Sequence, residues 1–462
     1  MNQPELKRDL GPWAAGSIVV GTVIGTGIFL VPTTMIQHVG SVPMVFAVWI
    51  VGGMLSLAGA LSYAELAAAL PEAGGEYVYL REAYGPVWGF LYSWTQMWVA
   101  KSGSIAAIAT GFFLYCADFF PQLDRVLFTS SLPLGPKGGP LEIRYTQLAA
   151  IGLTLALGCL NYFGVKLGGN VQTAITALKV ALIAVIIAVG LSAGHAGAVR
   201  HTAPAAATLT GFIAALVAAL WAYDGWNNAG MVGSEIRHPQ RNLPRALIGG
   251  TAAVIGIYLL ANAAYFYVLG AGGVAQSSRV AADMISRILG SNGGHAVSIA
   301  AMISTFAALN GSLLSGARVP YAAARDGYFF SAFGRVHSEH HTPSGALIGL
   351  SLWSCVLVLS GKYDDLFNLV IFASWILYGM TAAAVIVLRR KQPDLHRPYH
   401  TLAYPVIPVL FIAGAIILLS STFFERLRES LMGIGIMMVG LPFYFFWKSK
   451  AKLSTKKQSK VP

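Results

Sequence analysis

Stretches of about 20 apolar residues, the length that crosses a hydrocarbon layer as a helix, recur along this chain of 462 residues from end to end. Few features constrain a fold more. In lipid every backbone N–H and C=O must be satisfied within the protein, which leaves helices or closed barrels, and runs this long predict helices. Only 11% of the residues are charged, less than half of the roughly one quarter usual in soluble domains. A soluble enzyme, a disordered regulator and a secreted disulfide scaffold are thereby excluded. Runs bounded by charge, Pro or Gly predict twelve spans: 12–37, 42–69, 86–116, 145–163, 169–193, 208–236, 243–270, 295–326, 343–361, 364–389, 401–422 and 429–447. Between the seventh and eighth, Val280, Met284 and Ile288 share one helical face and Arg279, Asp283 and Arg287 another. That pattern predicts an amphipathic surface helix.

An even number of spans puts both termini on one side. Of the 31 lysines and arginines, twenty fall on that side, nine on the other, and Lys101 and Lys179 lie within spans. The positive-inside rule then places both termini in the cytoplasm. Ten acidic residues share the cytoplasmic side, eight lie outside, and Asp224 alone is intramembrane. The net charge of +12 is therefore almost entirely loop bias, and nucleic acid is not expected as a partner. The basic tail, 448–462, suits anionic lipid heads. Three scattered cysteines, Cys116, Cys159 and Cys355, suit neither a metal cluster nor a disulfide framework, so neither metal nor cofactor is expected. The opening MNQPELKRDL leads straight into a span, without a signal-peptide cleavage site.

Two spans carry interruptions. The first contains Gly21-Thr22-Val23-Ile24-Gly25-Thr26-Gly27, and each glycine weakens a helix by roughly 1 kcal/mol. Close packing of small residues explains such a run on its own. The sixth contains Ala222-Tyr223-Asp224-Gly225-Trp226-Asn227, and packing does not require an Asp, a Gly and an Asn at mid-membrane depth. The two positions correspond if the chain is a pair of inverted five-helix repeats, 12–193 and 208–389, followed by two additional helices over 401–447. Paired interruptions in matching positions point to a transporter's binding site. An unwound segment frees N–H groups at one half-helix N-terminus, where a carboxylate is favoured. It frees carbonyls at the preceding C-terminus, where an ammonium is favoured. A zwitterionic amino acid satisfies both.

The segments GTVIGTGIF, ALSYAELAAALPEAGGEYVYLREAYGP (60–86), WAYDGWNNAGMVGSEIRHPQRNLPRA (221–246) and LNGSLLSGARVPYAAARDG (309–327) resemble the amino acid–polyamine–organocation superfamily. With LRRKQPDLHRPY (388–399) they look most like its L-type amino acid transporter branch. The resemblance implies an all-α polytopic membrane protein with a 5+5 inverted repeat, the first and sixth helices unwound. It further implies a carboxylate cradle on Gly25, Thr26 and Gly27, and an amino group against the carbonyls of Val23, Ile24, Trp221 and Ala222. Trp221 takes the position of the family's aromatic cap, and Asn227 that of a polar residue steadying the second break. In sodium-coupled members of this fold a cation sits between the first, fifth and eighth spans. Lys179 falls at the matching fifth-span position and looks like a tethered replacement for it. The implication is sodium-independent exchange.

Asp224 has two readings: an acceptor tying down unwound backbone, or a counter-charge for a cationic side chain. A charge there costs roughly 2.5–3.5 kcal/mol on insertion scales. Lys179 lies too deep to snorkel. Ser304 and Thr305 are candidates to face it, while Asn310, Ser374 and Trp375 are candidates for a substrate side-chain pocket. Lys101 and Trp221 are gate candidates, as are Glu65, Glu76, Arg81, Glu235 and Arg318 through cytoplasmic salt bridges. No phosphate-binding loop, H-E-x-x-H or dinucleotide fingerprint is present, so neither ATP-driven pumping nor catalysis is expected. The loop 117–144 lacks the cysteine through which eukaryotic relatives join a glycoprotein, and the N-x-[ST] match at Asn310 lies within a span. The expectation is a stand-alone bacterial inner-membrane exchanger of neutral L-amino acids. The competing readings are a cationic amino acid or polyamine antiporter, and a nutrient sensor, which the lack of a tail domain disfavours.

Overall fold

The computed structural model describes residues 5–117, 119–130, 140–193, 208–360, 363–425 and 427–458. Asp118, Lys137, Arg200, Lys362, Arg426 and Lys460, part of the charge balance above, lie outside them. Helices occupy the apolar runs, with Pro and Gly as punctuation. α1 (Pro12–Val23) starts on Pro12, where a missing N–H is no loss. α2 (Gly27–Val39) ends at Gly40, whose φ of 70° suits a left-handed C-cap. α3 (Val42–Ala69) coincides with the expected second span. α4 (Glu76–Tyr84) occupies what was expected to be a loop, because nine residues mixing charge with aromatics carry no span-length apolar pattern. α5 (Pro86–Thr95) and α6 (Lys101–Cys116) join through a π-helical turn at Gln96–Ala100 and together fill the expected third span.

Beyond them, β1 (Val126–Thr129) and β2 (Glu142–Arg144) form a small antiparallel pair in the expected loop. There follow α7 (Tyr145–Tyr162), α8 (Val165–Ala193), α9 (Leu209–Ala222) and the single turn α10 (Asn228–Met231). α11 (Pro239–Gln276) continues past the expected end of its span through a kink at Gly270. α12 (Val280–Leu289) is the amphipathic helix, with Val280, Met284 and Ile285 buried. The remainder are α13 (Ser291–Gly316), α14 (Arg318–Arg325), α15 (Ser344–Ser360), α16 (Tyr363–Lys391), α17 (Val406–Glu425) and α18 (Leu427–Gln458). α18 carries helix well into the segment expected to be a polar tail.

Among the described residues, seven helical stretches are long and apolar enough to cross a membrane: α3, α8, α11, α13 with α14, α16, α17 and α18. α1 and α2 together make an eighth, bent by 41°. The broken pair is central. α1 lies among α8, α11 and α13, and α2 lies along α9, while α3 packs against α11 and α6 against α13.

At one end, charges meet in ion pairs, the deepest of them fully buried. Arg318 Nε and Nη2 donate to Glu235 at 2.7 and 2.9 Å, with both side chains buried. Arg389 forks onto Glu65 at 2.8 and 2.6 Å, and Arg397 stands 3.6 Å from the same carboxylate. Arg81 reaches Asp326 at 2.5 Å, Glu82 at 3.0 Å and Glu72 at 3.2 Å. Removing one partner of a buried pair strands the other, at about 3–5 kcal/mol, whereas exposed pairs contribute roughly 0–1 kcal/mol. Arg318→Ala is therefore expected to lower the melting temperature of detergent-purified protein clearly. Arg144→Ala, whose partners Asp124 and Glu142 are exposed, should leave it nearly unchanged. Thermal-shift measurement of the two variants checks this.

Candidate functional site

The helix breaks where the glycines stand. Ile24 leaves α1 with ψ 91°, and α2 resumes at Gly27 without a side-chain cap. The N–H groups of Gly25, Thr26 and Gly27 have no partner among the described residues. They form the exposed positive end of α2's dipole. Gly27 is also needed for space: a Cβ there would stand 2.9 Å from Ala222 Cα. The two broken helices touch at this point.

The second break runs from Tyr223 to Asn227. Gly225 turns it with φ 105°, which a side chain would oppose. Thr22 Oγ1 donates to Ile18 O in its own helix at 2.6 Å and lies 3.0 Å from Gly225 O, setting one break against the other. Tyr258 on α11 does the same, its hydroxyl lying 3.0 Å from Val23 O and 2.8 Å from Ala222 O. One hydroxyl hydrogen is shared between two carbonyls, so both keep lone pairs for a further donor. Asp224 accepts from Tyr378 OH at 3.0 Å, and its N–H donates to Trp221 O at 3.0 Å.

Lys179 on α8 is fully buried. Its ammonium donates to Ile24 O at 2.5 Å, Gly21 O at 2.7 Å and Ser304 O at 3.3 Å. Three donors meet three carbonyls, two of them freed by the first break. Ser304 Oγ also donates to Ile24 O at 3.0 Å. Thr305 does not join them: its hydroxyl turns back to Ala301 O in its own helix at 2.6 Å.

A cavity between the breaks is lined by Thr22, Val23, Gly25, Thr26 and Gly27 from the first, and Trp221, Ala222, Asp224 and Gly225 from the second. Lys101, Ser104 and Ile108 of α6, Asn228, and Ala308 and Ser312 of α13 complete it. Lys101 Nζ donates to Asn228 Oδ1 at 2.7 Å, and its field acts on Asp224. The π-helical turn immediately before Lys101 is a distortion that recurs at functional sites.

Several expected residues stand elsewhere. Asn310 is bonded to Asn161, Gln172 and Gly168 O, bracing α13 against α7 and α8 away from the cavity lining. Ser374 is buried off the lining, and Trp375 stacks on Phe411 with ring centroids 5.6 Å apart. Asn227 points its amide at Glu76 Oε1, and among the described residues Glu76 has no salt-bridge partner. Burial pushes the Glu76 carboxyl up to about 7, opposed by its own backbone N–H, the Tyr92 hydroxyl, the Asn227 amide and the Lys101 charge. Tyr258, Tyr378 and Asn228 were not anticipated. A tyrosine inside an apolar run needs a hydroxyl partner, but the run does not show which one.

Residues 10–441 match the model of the amino acid permease family. The chain is 33% identical over 448 residues to the b(0,+)-type amino acid transporter 1 of Mus musculus, across 96% of this chain and 88% of that protein. It is equally 33% identical to the serine/threonine exchanger SteT of Bacillus subtilis, across 96% and 98%. The large neutral amino acids transporter small subunit 2 of Mus musculus is 33% identical across 97% and 83%. With a permease model spanning the chain and relatives alike along nearly their whole length, this protein belongs to the amino acid permease family of the amino acid–polyamine–organocation superfamily.

Proposed function

We propose that this transporter exchanges neutral L-amino acids by alternating access, independently of sodium, with the substrate held between the two helix breaks. The observation that carries the reading is the first break itself. Its three unpaired N–H groups face one demand, a carboxylate, while the carbonyls behind it are already held by the Lys179 ammonium. The substrate carboxylate is placed on Gly25, Thr26 and Gly27. Its amino group shares the carbonyls of Val23, Trp221 and Ala222, with Trp221 as the cap; the expected fourth, Ile24 O, is taken by Lys179 and Ser304 and lies off the cavity lining. Lys179 with Ser304 supplies at a fixed place the charge that a sodium ion would bring.

Charge balance favours neutral substrates over cationic ones. Asp224 lines the cavity, and so does Lys101. A net charge near zero gives a cationic side chain no surplus attraction to offset its desolvation. The hydroxyls of Thr22, Ser104 and Ser312 suit small, neutral side chains, and the relative from Bacillus subtilis is named for serine and threonine.

A twelve-span, 5+5 inverted-repeat architecture fits the packing, since expected spans one and six, two and seven, and three and eight lie against each other. Cytoplasmic termini follow from the loop charges. The ion pairs Glu235–Arg318 and Glu65–Arg389 serve as cytoplasmic gate contacts, broken and remade as the site changes sides. A heavy-chain partner is not required, as loop 117–144 has no cysteine to hold one.

Uptake into proteoliposomes should require unlabelled amino acid inside and ignore a sodium gradient; sodium-driven uptake into empty vesicles would refute the role of Lys179. Lys179→Met should reduce exchange by at least about tenfold, because it removes the buried charge, strips Gly21 O of its donor and leaves Ile24 O to Ser304 Oγ alone. Asp224→Asn should turn the cavity net positive. Glutamate and aspartate should then compete at least about threefold better against labelled substrate than in the wild type. Loss of arginine and lysine competition in that variant would support the cationic reading instead.

A further inference from the structure

Glu76 is a fully buried ionisable side chain that the exchange reading leaves without a task. It begins α4, outside the apolar spans. Its Oε1 accepts from the Asn227 amide, while Oε2 has no partner among the described residues. The hydroxyl of Tyr79 and the Asn227 Oδ1 are buried and equally unpartnered among the described residues. Tyr79 carries an O–H donor of its own, whereas Asn227 Oδ1 and an ionised Oε2 can only accept; a protonated carboxyl adds a donor beside them.

Titratable and charged groups approach it from every side: Tyr63 on α3, Tyr79 on α4, Tyr92 on α5, Lys101 on α6 and Tyr378 on α16. Asp224 stands behind them, bonded to Tyr378. None of these forms an ion pair with Glu76. Lys101 gives its ammonium to Asn228, and nearby Arg81 is taken by Glu72, Glu82 and Asp326. The carboxyl is thus sealed against water and without a bonded cation.

It is also mechanically tied to the moving part. Asn227 belongs to the second break, and its neighbour Asn228 holds Lys101 in the cavity wall. Just ahead of α4, Gly74 N donates to Met231 O at 2.8 Å, and Ala73 pairs with Val232. A rearrangement of the second break therefore pulls on the seal around Glu76.

We propose that Glu76 is a proton-binding site whose occupancy follows the conformation of the transporter. The carboxyl takes a proton from water as the Asn227 turn packs onto α4, and its O–H bond breaks to return that proton when the two separate and water enters. The proposal rests on the exchange reading for its cycle, though not for its chemistry.

The sign follows from linkage. A hydrated glutamate titrates near 4.3, and burial raises this one to about 7, so the closed form binds the extra proton between those values. Acid favours the closed form. As pH rises from about 5 to 7, its ratio to an open or unfolded form falls by up to about tenfold per unit, then levels.

The test measures exchange in proteoliposomes and the melting temperature of detergent-purified protein from pH 5 to 8, for wild type and Glu76→Gln. Wild type is expected to change its exchange rate by at least about threefold over this range, and to melt lower as pH climbs to 7. Glu76→Gln should be flat in the first measurement and lack that component in the second. The same pH dependence in both proteins, or none in wild type, would overturn the proposal. If Glu76→Gln does not fold, Glu76→Asp takes its place; it should keep a pH dependence with a displaced midpoint, and an undisplaced one counts against the site. A chain that exchanges no amino acid sinks the exchange reading alone, since the melting comparison still tests Glu76.

Discussion

A polypeptide unwound at membrane depth exposes backbone groups that lipid cannot satisfy, and this structure is organised around meeting that demand at two places at once. Each unpaired group in a low-dielectric interior costs several kcal/mol, so a break persists only where neighbours supply partners. Here the supply comes from three helices. α8 brings Lys179 to Gly21 O and Ile24 O, α11 brings Tyr258 to Val23 O and Ala222 O, and α13 brings Ser304 to Ile24 O. Those contacts satisfy the carbonyl side. The N–H groups of Gly25, Thr26 and Gly27 have no partner among the described residues, and that asymmetry is the basis of the proposed carboxylate site.

Sharing partners also makes the two breaks mechanically one. Thr22 Oγ1 lies 3.0 Å from Gly225 O, and Tyr258 bridges carbonyls of both segments. A shift at one break is felt at the other through hydrogen bonds near 3 Å. The buried Glu235–Arg318 pair extends the linkage from the end of the second break to α14.

Much of this was legible in the sequence. Helix positions followed from apolar runs, and α3 was placed without error. The two breaks were legible because Gly, Asp and Asn at mid-membrane depth weaken a helix and cost insertion energy, which lipid-facing packing gives no return for. Lys179 was legible as a charge too deep to reach water. Hydrogen-bond partners were not. Thr305 turned back to its own helix, Asn310 became a brace among α7, α8 and α13, and Glu76 bonded to Asn227 instead of a cation. α4 was missed because a short, buried, mixed-composition helix leaves no periodic signature of useful length.

By itself, then, the chain's composition determined that it forms membrane-length helices, where two of them break, and which few charges lie deep. Those properties depend on local transfer energies and backbone preferences that each segment carries with it. Only the tertiary structure decided which carbonyls Lys179 and Tyr258 hold, that Lys101 and Asp224 share a cavity, and that Glu76 is sealed from water. A polar side chain in a membrane helix must find a partner, but its reach spans several neighbouring helices. Which partner it takes depends on how residues a hundred or more positions apart are brought together.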